Sequence, residues 1–224
     1  MIRIFIGYDD SEKVAFSTLS HSLLKHSTQP ISITPIRLQN IKDIFVRERL
    51  QIQSTEFAFS RFLVPYLCNY SGHAIFMDCD MLARADISLL WRQRTTQYAV
   101  QCVQHDYTPN TTVKFKNQPQ TVYPKKNWSS MMIFNCSKCL ALTPDYVNNA
   151  SGLELHQFKW LESEDLIGKI DEEWNWLVGE YEHNYSAKLV HYTKGGPYFK
   201  HYKDCDYSQE WFEMYEDSNK IDLE

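Results

Sequence analysis

The chain begins with three isoleucines, Ile2, Ile4 and Ile6, that alternate with Arg3 and Phe5. This period of two predicts a first strand that ends at Gly7-Tyr8-Asp9, because successive side chains of a strand point to opposite faces. Asp9 and Glu12 have the spacing of a capping box, which predicts a helix directly after the strand. The apolar positions are Ile2, Ile4 and Ile6 in the strand and Phe16, Leu19, Leu23 and Leu24 in the helix.

Short apolar runs and amphipathic segments continue to alternate along the chain. Further strands are predicted near residues 31–33, 73–77, 98–103, 129–134 and 188–191. Helices are predicted over 54–67, stopped or kinked near Pro65, over 86–91, over most of 152–181 and around Trp211. Thr143-Pro144-Asp145 is typical of a helix start, with a capping hydroxyl and proline in the first turn. Strands that alternate with helices indicate an α/β fold with a mostly parallel sheet.

Residues 105–127 interrupt this alternation. They contain three prolines and little periodicity, which predicts a long loop over the sheet. Loops of this length are more often functional than idle.

The 224 residues suit a single domain over residues 1–224, with residues 200–224 as a helical tail. A formal net charge of −5 leaves no basic excess to neutralise phosphates, so a nucleic-acid partner is not expected. The seven glycines form no P-loop or Rossmann pattern. No apolar run reaches the roughly 18 residues that cross a bilayer, so no transmembrane segment is expected. A peripheral membrane contact stays open.

The six cysteines bear on the cellular compartment. The apolar run at the start of the chain is too short for a signal peptide, which predicts a cytoplasmic protein with reduced thiols. Cys136 and Cys139 form a lone C-x-x-C pattern, and a zinc site would need two more ligands.

The residues that suggest a chemical function follow the apolar run at 73–77. Asp78 and Asp80 come directly after it, and open α/β sheets bind ligands beyond the carboxyl ends of their strands. Two carboxylates this close raise each other's pKa unless a cation lies between them. A hard divalent ion that also binds a diphosphate meets this need. By spacing alone, a metal site and a simple acidic turn are both open.

A second polar group follows the last predicted strand. His191 offers a metal ligand, Lys194 a point charge for a phosphate, and Gly195-Gly196 a close backbone approach. Taken singly, His191 is equally explained as a structural histidine, Lys194 as a surface lysine and Gly195-Gly196 as a turn. Together with Asp78 and Asp80 they suit a metal-bound diphosphate.

These motifs resemble a known family. Asp78-Cys79-Asp80 after an apolar strand, Arg61 before it, and His191 in a His-x-x-x-Gly-x-Pro context are similar to the retaining nucleotide-sugar glycosyltransferases of family 8. That group includes glycogenin and the bacterial lipopolysaccharide galactosyl- and glucosyltransferases. The similarity covers roughly residues 1–200. It implies a GT-A type fold, with a Rossmann-like, mostly parallel central sheet flanked by helices.

The resemblance also implies a role for each matching residue. Asp78, Asp80 and His191 would hold Mn²⁺ or Mg²⁺, and Arg61 would lie by the donor phosphates or sugar. Other residues would bind the donor: Gly7, Tyr8 and Asp9 at uridine, Cys79 between the two acids, Asn127, Ser129 and Ser130 near the sugar, and Gly195 and Gly196 in the last motif.

The chain departs from the family pattern in two places. The lysine usually found before the last proline is replaced by Gly196, and Lys194 would reach the diphosphate instead. The acidic segment below the reacting sugar, usually Asp-Gln-Asp, reads Ser163-Glu164-Asp165. Glu164 and Asp165 would act there, Glu164 as the nucleophile if one is used. The altered segment leaves the sugar undetermined.

The implied function is metal-dependent transfer of a hexose from a UDP-sugar to a hydroxyl acceptor with retention. The acceptor would be a glycan, a lipid-linked saccharide or a protein, and the oligomeric state is undetermined. One alternative is a haloacid-dehalogenase-like phosphatase with Asp78 as nucleophile, since that class also places Asp-x-Asp after an apolar strand, although near the chain start. The other is a non-catalytic nucleotide-sugar or carbohydrate-binding protein.

Overall fold

The computed structural model describes residues 1–48, 55–106 and 124–220, and the backbone of residues 113–114 and 118–119. A six-stranded sheet contains β1 (Ile2–Gly7), β2 (Ile31–Ile36), β3 (His73–Met77), β5 (Val100–Val103), β8 (Met131–Asn135) and β9 (Ile167–Ile170). Its order is β2-β1-β3-β8-β5-β9. Only β8 runs antiparallel to its neighbours, so the prediction of a mostly parallel sheet is confirmed.

A smaller sheet lies beside the carboxyl ends of these strands. It is formed by β4 (Met81–Ala83), β10 (Trp176–Leu177) and β11 (Leu189–His191) in the order β10-β11-β4. In the antiparallel pair of β11 with β4, His191 lies opposite Met81. Two further strands, β6 (Val113–Lys114) and β7 (Gln118–Pro119), pair with each other.

Six helices complete the described part of the chain. They are α1 (Lys13–His26), α2 (Val64–Leu67), α3 (Ile87–Arg92), α4 (Pro144–Asn149), α5 (Gly152–His156) and α6 (Ser208–Ser218). The predicted start at Thr143 is confirmed, because its side chain accepts the hydrogen bond of Tyr146 N. Asp86 caps α3 in the same way through Ser88 N. Helix α1 packs between α6 and β4.

Three predicted elements differ from the observed ones. The described part of 54–67 is not a helix kinked near Pro65 but a turn, a 3-10 segment (Ser60–Leu63) and the single turn of α2, with Pro65 at its start. Residues 152–181 are not mainly helical, because β9 pairs with β5 and β10 with β11. Tertiary pairing here overrides local propensity.

The third difference is the capping box. Asp9 caps a 3-10 turn before α1 through Ser11 N, while the carboxylate of Glu12 accepts a hydrogen bond of 2.7 Å from the hydroxyl of Tyr198. Of the predicted loop at 105–127, residues 113–114 and 118–119 pair as strands, and residues 107–112, 115–117 and 120–123 lie outside the described residues.

The main core fills both faces of the large sheet, and a second apolar cluster around Tyr192 and Trp211 lies under α6. Cys136 and Cys139 are buried and free, and the thiol of Cys139 donates to main-chain carbonyls. This C-x-x-C therefore serves as packing. In the described residues no helix is both long and apolar enough to cross a membrane.

Candidate metal site

The two sheets meet at the predicted acidic pair. Asp78 and Asp80 occupy the turn from β3 to β4, at the carboxyl end of β3 and beside the end of β1. The pairing of β11 with β4 places His191 opposite Met81, and Tyr192 N donates to the carbonyl of Asp80 over 2.9 Å. Residues distant in sequence are thereby brought together at the edge where α/β sheets bind ligands.

The three side chains form a compact set of ligand atoms. His191 Nε2 lies 3.3 Å from Asp80 Oδ1 and 3.9 Å from Asp78 Oδ2. One ligand atom from each residue lies within 4.8 Å of the others. Two carboxylates and an imidazole can serve a divalent transition metal, and the oxygen-rich set also suits Mg²⁺.

The electrostatics of the site favour a cation. The pKa of Asp78 is raised to about 6, mainly by burial. The guanidinium of Arg61 lowers this pKa, and the Asp80 carboxylate raises it. Asp80 Oδ1 is buried and accepts no hydrogen bond from the described residues. A buried carboxylate oxygen without a donor is costly, and a bound cation removes that cost. The residues present therefore fit the Mn²⁺ or Mg²⁺ that the family resemblance implies.

Arg61 is the fixed positive charge beside this pair. Its Nη1 lies 2.8 Å from Asp78 Oδ1 and donates to the carbonyl of Ser129 over 2.9 Å. Its guanidinium carbon lies 5.0 Å from the ring centroid of Phe76. Arg61 is thus the buried counter-ion of Asp78 and ties the acidic turn to the start of β8. Its contact with donor phosphates stays a prediction.

A buried amide orients the histidine. Asn175 Oδ1 lies 3.0 Å from His191 Nδ1, and Asn175 Nδ2 donates to Ser130 Oγ over 2.8 Å. Asn175 is fully buried. Sequence reasoning missed this residue, and its one local signal is a polar side chain between Trp174 and Trp176.

A second residue missed by sequence reasoning is His156, at the end of α5. Its Nδ1 lies 2.7 Å from Ser129 Oγ, and its ring contacts Phe59 and Phe62. Asn127, with φ of 63°, turns the backbone before Ser129 and Ser130. Ser129 and Ser130 therefore lie next to Arg61 and the acidic turn, and the contact of this segment with the donor sugar stays a prediction.

The residues expected to contact uridine lie at the end of β1, next to β3. Asp9 is buried, and its carboxylate accepts hydrogen bonds from Ser11 N at 2.9 Å and Glu56 N at 3.2 Å. Tyr8 is partly exposed beneath Arg37. A side chain at Gly7 would overlap the ring of Phe57. These contacts organise the segment, and its contact with uridine stays a prediction.

The glycines of the last motif have packing reasons of their own. Gly195 has φ of +127°, and a side chain there would overlap Tyr202, while one at Gly196 would overlap Tyr198. Lys194 Nζ donates to the carbonyl of Gly179 over 2.5 Å and lies 3.6 Å from the Glu180 carboxylate. The thiol of Cys79 is buried in the core, which leaves its backbone as the part that can face a ligand.

Glu164 and Asp165 lie elsewhere. They precede β9, whereas Asp78 follows β3. Because β9 and β3 run in the same direction, the backbone of these acids and that of Asp78 lie at opposite ends of the strands. The Glu164 side chain is 81% exposed and pairs with Lys125 Nζ at 2.5 Å. The described structure does not bring these acids to the metal site.

These acids instead border an open cleft. Its volume is about 520 Å³, and its lining residues are Gln97, Tyr98, Gln104, Trp128, Glu164, Asp165 and Ile167. Amides, carboxylates and aromatic rings are groups that hydrogen-bond and stack with polar ligands.

The architecture is that of a known class. The glycosyltransferase GlyE of Streptococcus pneumoniae TIGR4 superposes with a TM-score of 0.64 at 11% identity, over 96% of this chain and 61% of that chain. The galactosyltransferase LgtC, solved with donor and acceptor sugar analogues, gives 0.62 at 9% identity over 99% and 98%. The bifunctional glycosyltransferase WbbM gives 0.59 at 14% identity, and this chain spans 49% of its length. These likenesses establish the GT-A glycosyltransferase fold.

The family is shown by sequence. Protein CDI of Arabidopsis thaliana is 47% identical over 227 residues, which cover 97% of this chain and 87% of that protein. The chain belongs to the family of Protein CDI. No protein-family model matches it.

Proposed function

We propose that this protein is a glycosyltransferase that transfers a hexose from a UDP-sugar to a hydroxyl acceptor with retention, as in family 8. The acceptor class is a glycan, a lipid-linked saccharide or a protein. One observation carries the proposal: Asp78, Asp80 and His191 converge within 4.8 Å at the carboxyl edge of a GT-A sheet. The ion they would hold is Mn²⁺ or Mg²⁺. When bound, it would supply Lewis-acid neutralisation of the charge that develops on the leaving diphosphate.

Three neighbouring side chains support the proposed metal and diphosphate site. Arg61 favours the ionised form of Asp78 against the effect of burial, so the carboxylate is available as a ligand. Asn175 holds the ring of His191. Lys194, which follows β11, would add positive charge at the diphosphate after leaving the Gly179 carbonyl. Arg61 and Lys194 are the proposed stabilisers of the transition-state charge.

Donor contacts are proposed for the segments at the same edge of the sheet. Gly7, Tyr8 and Asp9 would enclose uridine, and the backbone at Cys79, Gly195 and Gly196 would approach the phosphates. Asn127, Ser129 and Ser130 would contact the sugar, and we add His156 because it hydrogen-bonds Ser129. Glu164 and Asp165 are reassigned to the acceptor side, since they share a cleft with Trp128 and Tyr98.

The comparisons support glycosyl transfer over the alternatives. GlyE, LgtC and WbbM are glycosyltransferases, and LgtC was solved with donor and acceptor sugar analogues. The haloacid-dehalogenase alternative gains no support from this fold. A non-catalytic carbohydrate-binding module would not need a metal triad drawn from residues more than a hundred positions apart, Asp78, Asp80 and His191.

The test is UDP binding by calorimetry, with and without Mn²⁺. The wild type should bind UDP tightly only when Mn²⁺ is present, and Asp80→Asn should lose the metal-dependent part. Asp204→Asn is the matched control, because Asp204-Cys205-Asp206 repeats the Asp-x-Asp pattern at an exposed position. Equal UDP affinity in wild type and Asp80→Asn would contradict the proposal. A screen of UDP-sugars would then identify the donor.

A further inference from the structure

A chain of hydrogen bonds runs from the backbone into the candidate metal site. Ser130 Oγ lies 2.7 Å from the carbonyl oxygen of Asn127, and Asn175 Nδ2 lies 2.8 Å from Ser130 Oγ. Asn175 Oδ1 lies 3.0 Å from His191 Nδ1. Ser130, Asn175 and His191 are all buried.

The direction of this chain follows from its first group. A carbonyl oxygen has no proton, so the hydroxyl of Ser130 must donate to Asn127. Its oxygen then accepts a hydrogen bond from the amide N–H of Asn175, and this directs Asn175 Oδ1 at His191. An amide oxygen also has no proton, and His191 Nδ1 must therefore donate to it.

This direction determines what His191 offers to the acidic pair. In the neutral ring with its proton on Nδ1, Nε2 carries a lone pair. Nε2 lies 3.3 Å from Asp80 Oδ1, an oxygen to which none of the described residues donates. Two lone pairs at this distance repel each other unless a cation lies between them.

We propose that Ser130 and Asn175 are positioning residues that select the Nδ1-protonated tautomer of His191 and so present Nε2 to a divalent cation. The inference rests on the proposed function for the identity of the site and adds how the ligand is prepared. The main-chain carbonyl of Asn127 is the final acceptor of this chain and fixes the direction of its hydrogen bonds. Hydrogen bonds of this kind to a metal-binding histidine typically contribute 10- to 100-fold in metal affinity.

The first experiment uses the wild-type chain and needs no activity. Histidine labelled with ¹⁵N is observed by long-range ¹H–¹⁵N correlation NMR in the Mg²⁺-saturated protein, since Mg²⁺ is diamagnetic. The expected spectrum shows His191 protonated at Nδ1, with Nε2 unprotonated. A proton on Nε2, with Nδ1 unprotonated, would overturn the proposal.

The second experiment measures Mn²⁺ affinity by the electron paramagnetic resonance signal of the free ion. Asn175→Leu keeps similar volume but cannot accept from Nδ1, and its affinity should fall about 10- to 100-fold. Asn175→Asp keeps the acceptor and should bind Mn²⁺ at least as well as wild type. A residue needed only for packing would not show this rescue, so equal losses in both variants would contradict the proposal.

Ser130→Ala tests the hydrogen-bond chain with less risk to folding than Asn175→Leu. It removes the donor to Asn127 but leaves a small side chain at a buried position, so the protein should fold even if Asn175→Leu does not. We expect a mixture of His191 tautomers in its NMR spectrum and a weaker affinity for Mn²⁺. A single Nδ1-protonated form with wild-type affinity would overturn the role of Ser130.

These outcomes are distinct from failure of the proposed function. If the wild type binds no Mn²⁺, or if Asp80→Asn binds it equally well, the metal site itself is wrong. If the wild type binds Mn²⁺ through Asp80 and Asn175→Leu binds it as tightly, only the positioning role is wrong.

Discussion

Nη1 of Arg61 lies 2.8 Å from Oδ1 of Asp78, and the two side chains are only 6% and 14% exposed. The guanidinium also donates to Ser129 O over 2.9 Å. A charge this well buried depends on its partner, because removing one member leaves the other without compensation. Arg61 thus ties the stability of the fold to the protonation state of the candidate metal ligand.

Replacing Arg61 by methionine should therefore destabilise the protein by about 3–5 kcal/mol. Methionine keeps much of the apolar contact with Phe57 and Phe76 but removes the charge. Urea unfolding without metal measures the loss. The control is Arg37→Met, whose exposed pair with Asp10 should contribute no more than about 1 kcal/mol. Similar losses in the free energy of unfolding of the two variants would show that the buried pair contributes no more to stability than the exposed one.

A bound metal ion should increase the free energy of unfolding of the protein. At about 100 times the dissociation constant, a ligand that binds only the folded state adds about 2.7 kcal/mol. We expect Mn²⁺ to raise the free energy of unfolding of the wild type by this amount and to have little effect on Asp80→Asn. Chemical denaturation with Mn²⁺ and with chelator measures both. A comparable gain in Asp80→Asn would place the ion at another site.

The cap of α3 should make stability sensitive to acid. Desolvation raises the pKa of Asp86, but the hydrogen bonds from Ser88 and Thr28 together outweigh this and lower the pKa to about 2. The unfolded chain, with an ordinary value near 3.9, takes up the proton first. The stabilisation is therefore fully present above about pH 4 and is lost as the pH falls through about 2.

Asp86→Ala should accordingly cost about 0.5–2 kcal/mol at neutral pH. The difference from wild type should shrink steadily as the pH falls from about 4 toward 2. Urea unfolding over this range measures it, with Asp204→Ala as an exposed control. A difference independent of pH would mean that the carboxylate charge does not contribute to the cap.

Lys194→Ala should slow turnover about 10²- to 10³-fold, the range for loss of one group that stabilises transition-state charge. UDP-sugar affinity should fall much less, because the leaving-group charge is greatest in the transition state. Steady-state kinetics and calorimetry provide the two values. Lys188→Ala is the control, since Lys188 pairs with Glu173 just before β11. If Lys194→Ala retains wild-type turnover, its role is to hold the Gly179 turn.

Glu164→Gln should leave the chemical step intact. Its side chain is 81% exposed and pairs with Lys125, and it is not among the ligand atoms grouped at Asp78, Asp80 and His191. We expect near-normal turnover at saturating acceptor and a raised KM for the acceptor, whereas Asp78→Asn should remove activity. A loss of turnover in Glu164→Gln as large as in Asp78→Asn would restore Glu164 as the nucleophile.

The sequence by itself determined the class of the fold. The period of two at Ile2, Ile4 and Ile6 and the apolar run before Asp78 are local patterns, and the observed strands β1 and β3 follow them. Parallel strands place their carboxyl ends at one edge, so the location of a ligand site beside Asp78 also follows from sequence. The family resemblance added His191 to that site, and the structure brings the three side chains together.

Only the tertiary structure decided the surroundings of these residues. The register of β11 against β4 sets His191 beside Asp80. Asn175 comes directly before β10, and the pairing of β10 with β11 brings its side chain to His191. The local sequence around Asn175 does not predict this contact. Strand pairing also replaced most of the predicted helix at 152–181, and the direction of β9 set the backbone of Glu164 at the opposite end of the strands from Asp78. Such contacts depend on which distant strands pair and in which direction, and local propensity contains no information about either.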